Sequence, residues 1–364
     1  MNKSISILHV SSAKTWRGGE QQIAHLVKGL SELDMNLAQH VFCTSDSKME
    51  AYCETASISY TSALKQASLS ISYIKQLIKA FKSVQPSIIH VHDSHAHSML
   101  VVAHRLINSK IPIVLHRRVD FEIGKSVLSL KKYNYNYIKQ IISVSDAIKS
   151  IIQDKVKAEV TTIYSSTDIK QAYEKGKLRK ELDLDTDIKI IGTVAAFADH
   201  KDLPTFIRTA DALLKDGEKY QFVIIGDGDL RVEIESMITA LGIQQHFSLL
   251  GFRADVSALV KDFEVFLFTS KMEGLGSSII MAQAIGIPVV CTNAGGIKEI
   301  VTHKETGLVA PVGDKNKLKE HVQLIIKDPS LANQLLLRAK QQAENFSYLS
   351  MAEKTLQVYK GLFL

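Results

Sequence analysis

Hydrophobic and polar positions alternate in blocks along the chain. Short apolar runs at residues 5–10, 39–43, 87–91, 113–115 and 140–144 predict strands, and the longer segments between them repeat apolar residues at helical spacing. Such segments are 24–33 and 71–82, the latter with Ile71, Ile74, Leu77, Ile78 and Phe81 on one face. Strand-length apolar runs separated by helix-period segments are the mark of βαβ units and a parallel sheet. The pattern stops at residues 165–187, a polar stretch with Lys170, Glu174, Lys175, Lys177, Arg179, Lys180 and Glu181 and no strand signal. It resumes at 188–194 and continues through strands at 220–225, 247–250, 265–268 and 288–291. The expectation is an α/β protein of two successive domains, residues 1–168 and 169–346, joined by the polar connection.

Composition leaves that picture standing and narrows it. Of 364 residues, 46% are hydrophobic and 23% charged, which excludes a disordered or collagen-like chain and suits two domains of ordinary size. The net charge of +6 is lopsided: residues 1–164 hold 20 Lys and Arg against 12 Asp and Glu, +8, which leaves −2 for the rest. Part of that excess is Lys125, Lys131, Lys132 and Lys139, interleaved with Tyr133, Tyr135 and Tyr137 and close to Val127, Leu128 and Leu130. Two readings stand, a solvated helix face or a surface that docks on an anionic membrane or a phosphorylated acceptor; neither involves nucleic acid. The cysteines Cys43, Cys53 and Cys291 are odd in number and lack paired spacing, so neither a disulfide framework nor a zinc site is signalled. There is no apolar run of about 18 residues, and the first ten residues lack a basic region and a cleavage site. The expected location is the cytoplasm, with peripheral attachment to the inner face of the plasma membrane where the basic half meets anionic lipid.

Glycines mark the places where chemistry is expected. Trp16-Arg17-Gly18-Gly19-Glu20 follows the first strand and is read as a tight turn that lets a ligand approach the backbone at a helix N-terminus. It is not the G-x-G-x-x-G dinucleotide fingerprint, so no nicotinamide cofactor is implied. Residues 222–230 and 250–253 are strand ends with glycine turns, the second carrying Arg253. The most telling segment is Ser270-Lys271-Met272-Glu273-Gly274-Leu275-Gly276-Ser277-Ser278, a carboxylate on a glycine-rich loop that opens onto a helix. Free N–H groups of Gly276, Ser277 and Ser278 suit a diphosphate there, and the carboxylate suits sugar hydroxyls.

The ordered set resembles the retaining glycosyltransferases of the GT-B fold, group 1 glycosyltransferases of the family 4 type. The set is the Gly-Gly-Glu loop, Ser-Val-Ser-Asp at 143–146, Gly-Asp-Gly-Asp-Leu at 226–230, Gly-Phe at 251–252, Glu-Gly-Leu-Gly at 273–276 and Gly-Gly-Ile-Lys-Glu-Ile at 295–300. The resemblance implies two Rossmann-like doubly wound parallel-sheet domains facing a cleft, with a C-terminal helix, residues 347–364, returning to the first domain. It also implies a metal-independent hexosyltransferase whose nucleotide-sugar is a co-substrate, with no cofactor. Glu273 matches the first carboxylate of the family's E-x7-E motif, and Gly274, Leu275, Gly276, Ser277 and Ser278 would offer backbone N–H groups to sugar and diphosphate. Lys201 matches the lysine that neutralises the leaving diphosphate, and His116 matches the N-domain histidine beside the donor sugar; Gly18 and Gly19 would approach the diphosphate from the other side. Two positions depart from the pattern: the second glutamate of E-x7-E falls at Met281, and the arginine expected five residues before the lysine falls at Ala196. Arg253 and the helix N-terminus are the candidates to take over their contacts.

His90-Val91-His92-Asp93-Ser94-His95-Ala96-His97 resembles a metal cluster, so a metal-dependent hydrolase is a competing reading; its Asp is one position early, and an acceptor-cleft loop is favoured. His92, Arg117 and Arg118 are the acceptor candidates and no metal site is assigned, while His9, His25 and His104 are read as satisfied polar groups. The expected activity is transfer of a sugar to a hydroxyl of a glycan or lipid-linked acceptor in bacterial cell-surface synthesis. The alternative is a nucleotide-sugar-binding protein whose site has decayed at Met281 and Ala196.

Overall fold

The computed structural model describes residues 5–124, 126–168 and 173–363. These form two compact units, Met1–Ser166 with Tyr348–Leu364, and Thr167–Ser347. The first contains β1 (Ser6–Val10), α1 (Gly18–Leu33), β2 (Ala38–Thr44), α2 (Lys48–Thr55), β3 (Tyr60–Ala63), α3 (Ile71–Val84) and β4 (Ile88–Val91). It continues with α4 (Ser94–Leu106), β5 (Ile113–Arg117), α5 (Val127–Tyr133), β6 (Ile138–Ser143), α6 (Asp146–Ile152) and β7 (Glu159–Thr162). The second contains α7 (Lys177–Glu181), β8 (Lys189–Val194), α8 (Leu203–Leu214), β9 (Tyr220–Ile225), α9 (Arg231–Ala240), β10 (Phe247–Leu249), α10 (Val256–Val260) and β11 (Val265–Phe268). It ends with α11 (Ser277–Ile285), β12 (Val289–Thr292), β13 (Leu308–Ala310), α12 (Lys315–Lys327) and α13 (Pro329–Ala343); α14 (Tyr348–Gly361) belongs to the first unit.

Both sheets are parallel, in the order β3-β2-β1-β4-β5-β6-β7 and β10-β9-β8-β11-β12-β13. The order reverses between β1 and β4 in one and between β8 and β11 in the other. At such a reversal the loops leaving the two adjacent strands run to opposite faces and open a crevice at the carboxyl edge. Each sheet therefore marks its own candidate site, at residues 11–12 and 92–93 in the first unit and at 195–201 and 269–276 in the second.

Three strands escaped the periodicity argument. β3 (Tyr-Thr-Ser-Ala), β7 (Glu-Val-Thr-Thr) and β13 (Leu-Val-Ala) are short edge strands, where one neighbour is missing and side chains stay partly wet. The start of α1 also differs from expectation. It begins at Gly18, because Glu20 Oε2 accepts from Arg17 N at 2.9 Å and closes a capping box ahead of the apolar period. Gly18 and Gly19 are thus the first helical residues, not a tight turn, and neither has positive φ. Residues 94–97, expected in a loop, open α4, whose N-cap Asp93 accepts from the N–H groups of His95 and Ala96.

The core of the first unit packs Leu26 and Leu30 of α1 against Ile7, Ile88, Val114 and Ile142 of the sheet and against Met351, Ala352 and Leu356 of α14. A Cβ added at Gly29 would stand 2.7 Å from Ala352 Cβ and 2.9 Å from the Tyr348 carbonyl oxygen. In a helix without a neighbour, Gly29→Ala would gain up to about 1 kcal/mol. Here it is expected to destabilise by about 1–3 kcal/mol through overpacking, read from the urea midpoint, and a stabilised variant would show that α14 is not packed on α1.

Candidate functional site

The second unit's candidate site is two loops stitched together at the reversal between β8 and β11. Thr269, the first residue after β11, donates its hydroxyl to the Asp202 carbonyl at 3.0 Å, and the N–H groups of Lys271 and Met272 both donate to the His200 carbonyl. Thr292 at the end of β12 donates to the Ser270 carbonyl at 2.5 Å. These bonds bring Lys201 and Glu273 together. Lys201 Nζ donates to Glu273 Oε2 while lying 5.3 Å from the centre of the Phe268 ring, and the side chains are 17% and 14% exposed. An ion pair so far removed from water holds only because each charge has its partner.

The backbone around Glu273 explains the glycines. Gly295 adopts φ 48°, and a Cβ there would lie 2.1 Å from the Glu273 carbonyl oxygen, which accepts from Gly296 N at 3.0 Å. Gly276 is the N-cap of α11 at φ 97°, with no side-chain cap, so the first turn of the helix keeps N–H groups for a ligand. Gly274, Leu275 and Gly276 are buried, whereas Ser277, Ser278 and Met281 share a half-exposed face of α11. Met281 therefore follows the open helix end by one turn with no oxygen to offer. Ala196, in the loop after β8, likewise supplies no charge. Arg253, the candidate substitute, is already engaged: its guanidinium donates to both oxygens of Glu181 and to Asp255, which also pairs with Lys177. Two carboxylates match its charge, so the α11 N-terminus is the better-prepared anion site.

In the first unit, Ser12 donates its N–H and hydroxyl to Asp93 at 2.6 and 2.7 Å, tying together the ends of β1 and β4. Arg118, beyond β5, donates to the His92 carbonyl at 3.0 Å, and Gly19 at the start of α1 faces its Cδ. His116 stacks on His90 with ring centres 5.4 Å apart and lies 5.9 Å from His92. Gly19, His92, His116 and Arg118 thus meet at one edge. Arg117 does not join them. Neighbouring positions on a strand point to opposite faces, and Arg117 turns inward to donate to Tyr133 Oη at 2.7 Å and to the Phe121 carbonyl, which corrects its assignment as an acceptor residue.

Four residues at or beneath this edge were not assigned from sequence. Glu20 is buried, which raises its carboxyl pKa, and it faces Arg118 together with Asp93. His9 pairs in register with His90 across β1 and β4, and Tyr359 of α14 bonds His90 Nδ1 at 2.5 Å. Among the described residues, His9, His90 and His92 form a group whose ring nitrogens lie within 4.8 Å of one another. The capping box and the N-cap pattern were readable signals for Glu20 and Asp93; nothing local marks His9 or Tyr359. The basic segment is partly structural: Lys132 donates to the Ser94 and Ser98 hydroxyls, and Tyr133 is buried against His97. Lys131 and Lys139 are exposed, Val127 and Leu128 are 65% and 81% exposed, and Lys125 lies outside the described residues.

Residues 16–171 match the family described as Glycosyltransferase Family 4, and residues 174–343 match glycosyl transferases group 1. The chain belongs to the group 1 glycosyltransferases of the family 4 type. Relatives of this glycosyltransferase include an uncharacterized glycosyltransferase of Haemophilus influenzae, 26% identical over 295 residues, 80% of each chain. Another is N-acetyl-alpha-D-glucosaminyl L-malate synthase of Bacillus anthracis, 24% identical over 286 residues, 76% of this chain and 74% of that one. Among solved structures, HepE of Anabaena in complex with UDP and glucose superposes with a TM-score of 0.85 at 19% identity, covering 98% of this chain and 100% of HepE. The sucrose-phosphate synthase of Thermosynechococcus elongatus superposes at 0.77 and 19% identity over 99% of both chains. The glycosyltransferase thus has the two-domain Rossmann-like GT-B fold. Among its described residues no helix is long and apolar enough to cross a membrane.

Burial holds the pKa of His9 down to about 4 and those of His90, His92 and His116 well below 6.5. All four are neutral in the folded glycosyltransferase near pH 6, whereas the unfolded chain takes up protons there. The unfolded chain then binds the extra protons, so stability is fully present above about pH 6.5 and falls with decreasing pH by about 1.4 kcal/mol per unit and histidine down to the folded values. Urea unfolding at neutral pH and near pH 5 is expected to show this loss, with a shallower slope in His90→Phe.

Proposed function

We propose that the protein is a retaining, metal-independent glycosyltransferase that moves a hexose from a nucleoside-diphosphate sugar to a hydroxyl group of a glycan or lipid-linked acceptor in cell-surface glycan synthesis. The observation that carries this reading is the Lys201–Glu273 pair beside the uncapped N-terminus of α11. A diphosphate is the ligand for which a lysine and a helix N-terminus act together, and a carboxylate held next to them accepts hydrogen bonds from sugar hydroxyls. HepE has been solved with UDP-glucose, which supports a donor of this class.

In the proposed step the bond from the anomeric carbon to the diphosphate oxygen breaks as the acceptor oxygen bonds to the same face. The acceptor proton passes to a departing phosphate oxygen. Lys201 and the first-turn amides of α11 stabilise the negative charge that grows on that oxygen, so neither a protein nucleophile nor a metal has a task to perform. Glu273 orients the hexose. His116 closes the edge of the first unit with a neutral ring, and Arg118 and His92 serve the acceptor. The basic first half and the exposed Val127, Leu128 and Lys131 favour an acceptor presented at an anionic membrane.

Lys201→Ala and Glu273→Ala are each expected to lower kcat/KM for sugar transfer by about 10²–10³-fold while native circular dichroism is kept, and near-full activity of either variant would refute the assignment. Activity in EDTA is expected to equal activity without it. A thermal-shift series with UDP, GDP, ADP and CMP identifies the base, because a bound nucleotide raises the melting temperature.

Met281 and Ala196 favour the second reading, a binding protein without turnover. Slow donor hydrolysis in the absence of acceptor separates the two, being expected of the enzyme and absent from a binder. Lys131→Glu is expected to weaken co-sedimentation with anionic liposomes at low salt, and unchanged binding would remove the membrane from the proposal.

A further inference from the structure

Four side chains on four different segments form a continuous line of hydrogen bonds beneath the first unit's edge, with the buried His92 and His9 at its centre. Arg118 Nη2 is 3.4 Å from His92 Nδ1, and His92 Nε2 is 3.1 Å from His9 Nδ1. His9 Nε2 in turn is 3.2 Å from Gln39 Oε1, and Gln39 Nε2 donates to the Val27 carbonyl at 3.0 Å and to the Ser31 hydroxyl at 2.9 Å. The line joins the end of β5 to α1 through β4, β1 and β2.

Its two ends permit one direction only. A guanidinium has no lone pair to accept with, so His92 Nδ1 must carry the lone pair and His92 Nε2 the proton. That proton needs an acceptor, which makes His9 Nδ1 a lone pair and His9 Nε2 a donor. At the far end the Val27 carbonyl can only accept, so the Gln39 amide nitrogen points to it and the amide oxygen is left to receive from His9. A second proton on either ring would set N–H against N–H. We propose that Arg118, His92, His9 and Gln39 form a hydrogen-bond chain of fixed polarity that holds both imidazoles as neutral Nε2–H tautomers and makes His9 and Gln39 positioning residues for His92 and Arg118.

The surroundings agree. Burial lowers the pKa of both histidines, and the neighbouring rings, His90 with its centre 4.1 Å from that of His92 and His116 at 5.9 Å, add no carboxylate to draw a proton in. The carboxylates at this edge, Asp93 and Glu20, face Arg118 instead, and Asp93 is further bound to Ser12. With His92 Nδ1 committed as an acceptor, the edge presents its donors from Arg118 and the first turn of α1, and the rings serve as a wall. Such an edge receives a group rich in acceptor oxygens. That last step rests on the proposed function, whereas the chain and its polarity do not.

The same geometry separates this arrangement from a metal centre. The nitrogens of His9, His90 and His92 are close enough to share an ion, and His90 Nε2 is buried without a partner. A dication would however have to share the pocket with the Arg118 guanidinium and would take the His92 and His9 nitrogens out of their hydrogen bond.

Long-range proton–nitrogen NMR of the full-length protein, labelled with ¹⁵N in histidine and arginine, tests the proposal without any ligand. At neutral pH, His9 and His92 are expected as Nε2–H tautomers. Gln39→Leu, which removes the acceptor near the surface, is expected to move the His9 Nε2–H and the Arg118 guanidinium signals. His9→Asn, which keeps an acceptor where Nδ1 stood, is expected to retain the His92 tautomer, and His9→Phe to lose it. An Nδ1–H or doubly protonated His92, an Arg118 signal indifferent to Gln39→Leu, or stoichiometric zinc in the purified protein would overturn the proposal. If His9→Phe does not fold, Gln39→Leu alone decides. Absence of sugar transfer would refute the proposed function and leave the tautomer result intact.

Discussion

The site in the second unit depends on one pairing, Lys201 with Glu273, and on the order reversal that makes room for it. In a parallel sheet every strand delivers its following loop to the same edge, but neighbouring loops normally cover one another. Between β8 and β11 they part, and the groups placed there are sheltered without being sealed. An unpaired charge in such a place would be costly, so lysine and carboxylate stand as each other's partner. The loop hydrogen bonds to His200 and Asp202 and the glycines at 295 and 296 keep the two backbones close enough for that pairing.

The first unit solves a related problem by other means. Its reversal between β1 and β4 is lined beneath by histidines that burial keeps neutral, and its charge belongs to the half-buried Arg118, faced by Asp93 and Glu20. Neutral rings can be packed face to face in a dry interior where four cations could not. α14 takes part, since Tyr359 reaches His90 from the far end of the chain while Gly29 lets the helix lie close to α1.

Much of this was legible in the sequence. The inner strands β1, β2, β4, β5, β6, β8, β9, β11 and β12 stand out as apolar runs because they are largely buried, the edge strand β10 is marked by Phe247 and Leu249, and the Glu-Gly-Leu-Gly loop announces a carboxylate beside a helix start. The edge strands β3, β7 and β13 were not legible, because a half-wet strand lacks the continuous apolar signal. The start of α1 was hidden for a similar reason: its first turn is held by a capping box of polar residues rather than by an apolar face.

The sequence by itself determined the two α/β halves, the family, and the identity of Glu273, Lys201, His116 and Arg118 as residues of interest, since these follow from local period and motif order. Tertiary structure alone decided which of them meet. Glu273 is 72 residues from Lys201, and His92 is 83 from His9, separations over which no local pattern carries information about contact. The fold also decided that Arg117 turns inward while Arg118 stays at the edge, and that Arg253 is matched by Glu181 and Asp255. A side chain's type states what it can bind; its charge partners and the face of its strand, set only when distant segments pack, state what it is free to bind.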